Sequence, residues 1–291
     1  MGHRRPALAV VAALLALAVA CCGGSQARPH TSQRGAVPPP SPGEPLPHDA
    51  GALAAQLAQA TDALNSAIDA WTSRGNPSTG APPAEVTLEA LFTQRVYRLL
   101  AQRPRLAAAT LRRLPARLRS SARDTTTALS DLFRLTPPTH KRRFRTGPPE
   151  PAGALLRYYR AGQRRFHVAW NVLAAVNFVE SAFGRFRNSS SAGAQGPMQF
   201  LPATWRVYGL GGNVHDPHDA ILGAANYLHR SGAPGSYAHA LFAYNPSRLY
   251  VDAVLRYARR MARDRRAYFA YYSWQVFVRT PSGEKRLTGP R

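Results

Sequence analysis

Apolar residues recur at helical spacing in two long parts of the chain, which a basic, proline-bearing stretch separates. The first part has an Ala/Leu pattern over residues 51–71 and resumes at Val86, continuing to Leu118 after a break at residues 75–83. Pro104 and Pro115 fall inside this pattern, where proline interrupts or starts a helix. The pattern predicts a mainly α-helical protein.

The second helical part covers about residues 152–265, with short connections. One predicted helix is apolar on nearly all sides, which is typical of a buried helix. Asp216-Pro217-His218-Asp219 resembles a helix start, with Asp216 as N-cap and Pro217 at the first helical position. The predicted helices span residues 155–166, 168–179, 202–208, 217–230, 237–243 and 249–262.

After Arg266 aromatic and β-branched residues surround the turn Thr280-Pro281-Ser282-Gly283, which predicts a small terminal β-hairpin. The stretch 137–151 is predicted to be a linker or long loop. The predicted division is a signal peptide (1–20), a disordered Pro/Ser/Gly linker (21–50), a basic helical region (51–150), a second helical domain (151–265) and a short β tail (266–291).

The N-terminus predicts an exported protein. Arg4 and Arg5 precede the apolar run 7–20, which has the length of a signal-peptide core. Two interpretations of its end stay open. Ala18-Val19-Ala20 is an A-x-A cleavage site for free secretion, whereas residues 17–21 resemble a lipobox in which Cys21 is lipidated. The protein is therefore expected on the outer face of the cell membrane as a lipoprotein, or secreted to the cell wall.

Charge and cysteine content narrow the classes of partner and cofactor. The formal charge is +23, carried mostly by arginine, and it indicates a polyanionic neighbour. The Arg-rich helices are either a patch for anionic wall polymer or membrane surface, or an ordinary solvated face. Export and the absence of a basic-aromatic motif argue against nucleic acid. The only cysteines are the adjacent Cys21 and Cys22, so no metal site, disulfide or cofactor is predicted.

One carboxylate stands out in the second helical part. Glu180 ends the apolar helical pattern just before a glycine break, whereas Asp216 and Asp219 have a capping role. A carboxyl group at an apolar surface resists ionisation and can act as a general acid near neutral pH. The alternative is a helix-end acid paired with Arg185 or Arg187.

The residues around Glu180 form several separated motifs. Glu180-Ser181 is followed by a serine triplet, then by Gly193-Ala194-Gln195-Gly196-Pro197-Met198-Gln199-Phe200-Leu201, and later by Ala243-Tyr244-Asn245. In this order and spacing the motifs resemble the soluble lytic transglycosylase family over roughly residues 155–261. The Pro-Met-Gln-Phe-Leu-Pro form and the Asp-Pro-x-Asp-Ala helix start are similar to the secreted actinobacterial members.

The resemblance implies that residues 151–265 form a lysozyme-like helical catalytic domain with a cleft for peptidoglycan strands. It also implies a role for each matching residue. Glu180 is the single acid and base, which cuts the β-1,4 bond between N-acetylmuramic acid and N-acetylglucosamine and leaves a 1,6-anhydro product. Ser190 contacts the substrate, with Ser189 and Ser191 as alternatives for that role. Gly193 keeps the turn tight, Gln199 hydrogen-bonds in the cleft, and Tyr244 and Asn245 orient the acid and the sugar. Met198, Phe200 and Trp205 are expected to be packing residues.

Two other functions fit the same motifs. A hydrolytic muramidase would use water in place of the C6 hydroxyl of the sugar. A non-catalytic peptidoglycan-binding wall lipoprotein would keep the fold without the reaction, although the presence of Glu180, Gln199, Tyr244 and Asn245 argues against it. The sequence leaves the oligomeric state open.

Overall fold

The helices follow the apolar periodicity of the sequence closely. The computed structural model describes residues 38–140 and 143–291, and within these ranges there are eleven helices and one two-stranded sheet. They are α1 (Ala50–Arg74), α2 (Ala84–Gln102), α3 (Pro104–Arg113), α4 (Ala116–Leu135), α5 (Ala152–Phe166), α6 (Trp170–Ser181), α7 (Pro202–Tyr208), α8 (Pro217–Arg230), α9 (Tyr237–Tyr244), α10 (Arg248–Arg263), α11 (Arg265–Tyr272), β1 (Phe277–Thr280) and β2 (Gly283–Arg286). The predicted mainly α fold with a C-terminal hairpin is confirmed.

Capping and proline residues set the helix starts. The Asp49 carboxylate accepts hydrogen bonds from the first backbone N–H groups of α1. Pro104 is the first residue of α3, and Pro115 immediately precedes α4, because proline lacks the N–H that a helix start leaves unpaired. Asp216 caps α8 by accepting from the Asp219 N–H, as the sequence predicts.

The C-terminal β structure is shorter than the sequence predicts. Residues 266–272, expected at the start of a β tail, belong to the helix α11, which begins because the Asp264 side chain caps it. Tyr268, Phe269, Tyr271 and Tyr272 are all buried, and their spacing puts them on one face of a helix. The strands pair antiparallel only from Phe277↔Arg286 to Thr280↔Gly283.

One hydrophobic core runs through both helical parts. The helix α6 lies at its centre, packed by α5, α8, α10 and α11. The helix α10 packs against both α6 and α4. Between α10 and α4, the Arg256 guanidinium lies 3.1 Å from the Asp124 carboxylate. Residues 39–291 form one compact unit, and the same hydrophobic core extends on both sides of residues 150 and 265. The domain boundaries at these two residues stay predictions.

The C-terminal hairpin is fastened to α2. The Arg98 guanidinium donates to both Glu284 oxygens, at 3.0 and 2.7 Å, and lies between the rings of Phe133 and Phe277. A second connection pairs the Gln94 side-chain amide with the backbone N–H and C=O of Gln275, at 2.8 Å each. Paired charge and stacking together fix a guanidinium more firmly than either alone.

The predictions for the N-terminus fall outside this structure. The signal peptide, lipidation at Cys21 and the linker up to residue 37 lie outside the described residues. In the part of the chain that is described, no helix combines the length and the apolar character needed to cross a membrane.

Candidate active site

Glu180 lies in the last turn of α6, which ends abruptly. Ala182, Phe183 and Gly184 all have positive φ values, of 50°, 62° and 85°, and the backbone turns away from the helix axis there. The left-handed conformation costs a residue with a side chain roughly 1–2 kcal/mol. Such strain often accompanies functional positions, and here it ends the helix one residue after the acid.

The Glu180 carboxylate has one hydrogen-bond partner among the described residues. The Tyr250 hydroxyl on α10 donates to Glu180 Oε1 at 2.6 Å. Burial raises the pKa of Glu180 from 4.5 to about 7, and the Tyr250 hydrogen bond offsets only part of that effect. The residue itself is partly open to solvent, as an acid that meets a substrate must be.

The alternative of an ion-paired helix end does not agree with these contacts. Within the described ranges, no salt bridge involves Glu180. The Arg185 guanidinium is buried against the Tyr272 ring and donates to the Ala182 carbonyl. The Arg187 guanidinium donates to the Pro148 carbonyl instead.

A buried polar network attaches α6 to the loop that follows it. The Asn177 side-chain amide donates to the Pro197 carbonyl at 2.8 Å and accepts from the Tyr159 hydroxyl at 2.6 Å. The Ser181 hydroxyl donates to the same Pro197 carbonyl at 2.6 Å and accepts from the Gly184 N–H. Because buried polar groups are costly when unpaired, this network fixes the loop relative to Glu180.

Ser190 closes a tight turn in that loop. Its hydroxyl oxygen accepts from the N–H groups of Ala192 and Ala194, at 3.2 and 3.0 Å, which leaves its proton for donation. Gly193 has a φ of 82° in the turn, where a side chain would be strained. Ser189 and Ser191 are exposed, and no side-chain hydrogen bond of either occurs in the described structure.

Gln199 and Tyr244 hold the loop from its other end. Gln199 has a φ of 50°, and its side-chain amide donates to the Gly196 carbonyl at 3.0 Å. The Tyr244 hydroxyl donates to the Met198 carbonyl at 2.6 Å and so supports the loop, and burial together with the nearby Glu180 charge raises its pKa. Asn245 caps the end of α9 and stays partly exposed, whereas Met198 is fully buried.

Comparison with known proteins identifies the domain that carries this arrangement. Residues 157–266 match the family model of the transglycosylase SLT domain. This part of the chain is an SLT domain. The match spans every contact of Glu180 described above, and it supports glycan strands of peptidoglycan as the substrate class. No curated protein and no solved structure matches the chain.

The other carboxylates of the SLT domain have structural roles or lie on its surface. Asp216 and Asp219 accept backbone N–H groups at the start of α8, and Asp264 caps α11. Asp252 is exposed on α10. In the described residues, only Asp216, His218 and Asp219 bring three metal-ligand atoms within 4.8 Å, and their two carboxylates already serve the helix start.

Tyr250 is the site residue that sequence reasoning missed. It lies 70 positions after Glu180, on the buried face of α10, where a tyrosine reads as an ordinary core residue. Burial and the neighbouring Glu180 charge raise the pKa of the Tyr250 hydroxyl well above 10, so the hydroxyl stays protonated and acts as a donor.

Proposed function

We propose that the SLT domain of this protein is a lytic transglycosylase with Glu180 as its only acid and base. The observation that carries the proposal is the environment of the Glu180 carboxyl. Burial raises its pKa to about 7, and a single neutral hydroxyl donates to it. Near neutral pH such a group is populated in both protonation states, which a residue that first gives and then takes a proton requires.

The proposed reaction proceeds in two steps. Glu180 protonates the glycosidic oxygen, and the bond from that oxygen to C1 of the muramyl sugar breaks. The carboxylate then takes the proton from the C6 hydroxyl of the same sugar, and the C6 oxygen bonds to C1. The proton returns to Glu180, no water is consumed, and the product is a 1,6-anhydromuramyl end.

The positive charge that develops at C1 needs a stabilising group other than a second carboxylate. Most glycosidases place a second carboxylate about 5–9.5 Å from the acid, where it acts as nucleophile or activates water. The described acidic residues of the domain leave none beside Glu180, since they cap helices or lie on the surface. The acetamide of the substrate itself is the group we assign to this role, as in the substrate-assisted exceptions.

The loop supplies donors that would position the sugar. Ser190 keeps a free hydroxyl proton because its oxygen already accepts two backbone N–H groups. Gln199 and Asn245, whose side chains are partly exposed, are the other groups that we assign to substrate binding. Gly193 adds no side chain, so the backbone of the turn is open to the strand.

The deciding experiment is mass spectrometry of the fragments released from purified peptidoglycan by the wild-type protein and by Glu180→Gln. We expect 1,6-anhydromuramyl products from the wild type and none from the variant. Reducing ends heavier by one water would establish the alternative, a hydrolytic muramidase. If neither protein releases fragments although both bind peptidoglycan, the protein is a non-catalytic wall-binding protein.

We also propose that the protein acts outside the cytoplasm, either anchored through a lipid on Cys21 or free in the wall. The support is the sequence of residues 1–21 together with a substrate that lies outside the membrane. The same sequence features suggest a secreted actinobacterial protein. Its Arg-rich helices would face an anionic wall polymer or membrane surface.

A further inference from the structure

The stretch between α4 and α5 lies along the loop that follows α6 and is hydrogen-bonded to it. Residues 143–151, here called the strap, run antiparallel to residues 185–188. The contacts are Arg187 N–H to the Arg145 carbonyl at 2.9 Å, Gly147 N–H to the Arg185 carbonyl at 3.0 Å, Arg145 N–H to Asn188 Oδ1 at 2.6 Å, and an isolated bridge between Thr146 and Phe186. The sequence predicts a linker or long loop at residues 137–151, and these hydrogen bonds hold part of it against the loop that follows α6.

The strap presents cations that have no partner. Arg143 and Arg145 are exposed, and neither side chain makes a hydrogen bond or ion pair with any residue that the structure describes. Arg187 is exposed beside them and is held by the Pro148 carbonyl, with its guanidinium against the Cα of Gly147. The only acidic residue of the strap is Glu150 at its far end.

Asn188 connects these cations to the cleft. Its side-chain oxygen accepts from the Arg145 N–H, and its backbone carbonyl accepts from the Gln199 side chain at 3.4 Å. Asn188 thus contacts both the strap and Gln199, a residue that we assign to substrate binding. The turn of Ser190 and Gly193 begins two residues after Asn188, so the strap borders the same loop that we assign to the strand.

We propose that Arg143 and Arg145 form a subsite for anionic groups that the glycan strand carries while it lies in the cleft. The proposal rests on the function proposed above and adds a substrate preference to it. Guanidinium groups bind carboxylate and phosphate oxygens in a bidentate manner. Two sources offer this chemistry on a peptidoglycan strand, namely the carboxylates of the peptide stems and phosphodiesters of an attached wall polymer.

Binding to insoluble peptidoglycan tests the subsite without depending on catalysis. In a Glu180→Gln background, the double substitution Arg143→Gln/Arg145→Gln is compared in a sedimentation assay with the matched control Arg160→Gln/Arg164→Gln. The control removes two exposed arginines of α5, to which no binding role is assigned, and it loses the same net charge. Thermal unfolding of both variants verifies that the fold is kept.

We expect the strap variant to bind roughly three- to tenfold more weakly, because each exposed ion pair contributes up to about fivefold. The control should bind like the parent, and added salt should remove the difference between them. Equal binding by all three proteins would overturn the proposal. An equal loss in the control would also overturn it, since only total charge would then matter.

Treated substrates identify the anion. If amidation of the stem carboxylates abolishes the difference between strap variant and parent, the stems are the ligand. If removal of phosphodiesters by hydrofluoric acid abolishes this difference in binding, the attached wall polymer is the ligand. A difference that persists on a substrate given both treatments, or on an uncharged N-acetylglucosamine polymer, refutes an anion subsite. Product analysis with the unsubstituted Glu180 is independent, so a failure of the catalytic proposal is distinguishable.

Discussion

Replacing Glu180 by glutamine should stabilise the fold at alkaline pH and leave its stability unchanged in acid. A carboxyl whose pKa is about 7 in the folded protein and 4.5 in the unfolded chain favours the protonated form in the fold. The folded protein therefore binds more protons between these values, and stability falls as pH rises from about 4.5 to 7. Glutamine has the same shape, accepts the Tyr250 hydroxyl and never ionises.

The size of the effect follows from the two pKa values. Ionisation of Glu180 in the fold costs about 3 kcal/mol at pH 7 and above, at most, since the residue is partly open to solvent. For a folded unit of this size, roughly 3 kcal/mol raises the melting temperature by roughly 6–12 °C. At pH 4 the wild-type carboxyl is protonated in both states, so the two proteins should melt together.

The assay is thermal or urea unfolding of wild type and Glu180→Gln at pH 4 and at pH 8. Glu150→Gln is the control, because Glu150 is exposed and makes no ion pair within the described ranges. Its substitution should change stability by less than about 0.5 kcal/mol at either pH. If Glu180→Gln has the same effect on stability at both pH values, the carboxyl is not desolvated and the reasoning about its acidity fails.

Two further predictions concern the site and the N-terminus. Among the described residues, Tyr250→Phe removes the one hydrogen bond to the Glu180 carboxylate, which is worth roughly 1.5–3 kcal/mol. Because this bond lowers the pKa of Glu180, its loss should move the alkaline limb of the pH–rate profile up by about 1–2 pH units without changing the products. An unmoved limb would show that the bond does not tune the acid. Cys21→Ala should shift the protein from the membrane fraction to the soluble extracellular fraction if Cys21 is lipidated, and unchanged fractionation would favour free secretion.

Sequence patterns predicted the features of this protein that depend on local rules. Apolar spacing gave the helices, and Pro104 and Asp216 gave helix starts at the correct residues, because capping and the missing proline N–H act within one turn. The motif around Glu180 could also be recognised from the sequence, because the acid and the loop that follows it lie in one continuous segment. The β tail was overestimated because buried aromatic residues suit a strand and a buried helix face equally.

Contacts between distant parts of the chain could not be read from the sequence. Tyr250 reaches Glu180 across 70 residues, and only the packing of α10 against α6 brings the two together. The role of Tyr244 in orienting the acid stays a prediction, and its hydrogen bond to the Met198 carbonyl could not be foreseen because a backbone carbonyl carries no side-chain signal. The strap likewise binds backbone groups, so its sequence shows only prolines and charge.

The contacts of the C-terminal segment have a consequence for the stability of the whole fold. Glu284 and Gln275 complete pairs with Arg98 and Gln94, about 180 residues earlier, and the Arg98 guanidinium is buried. Without Glu284 that buried cation has no anion, and a buried charge that loses its partner is strongly destabilising. We therefore expect a protein truncated before Gln275 to lose stability in the core that α2 shares with the SLT domain.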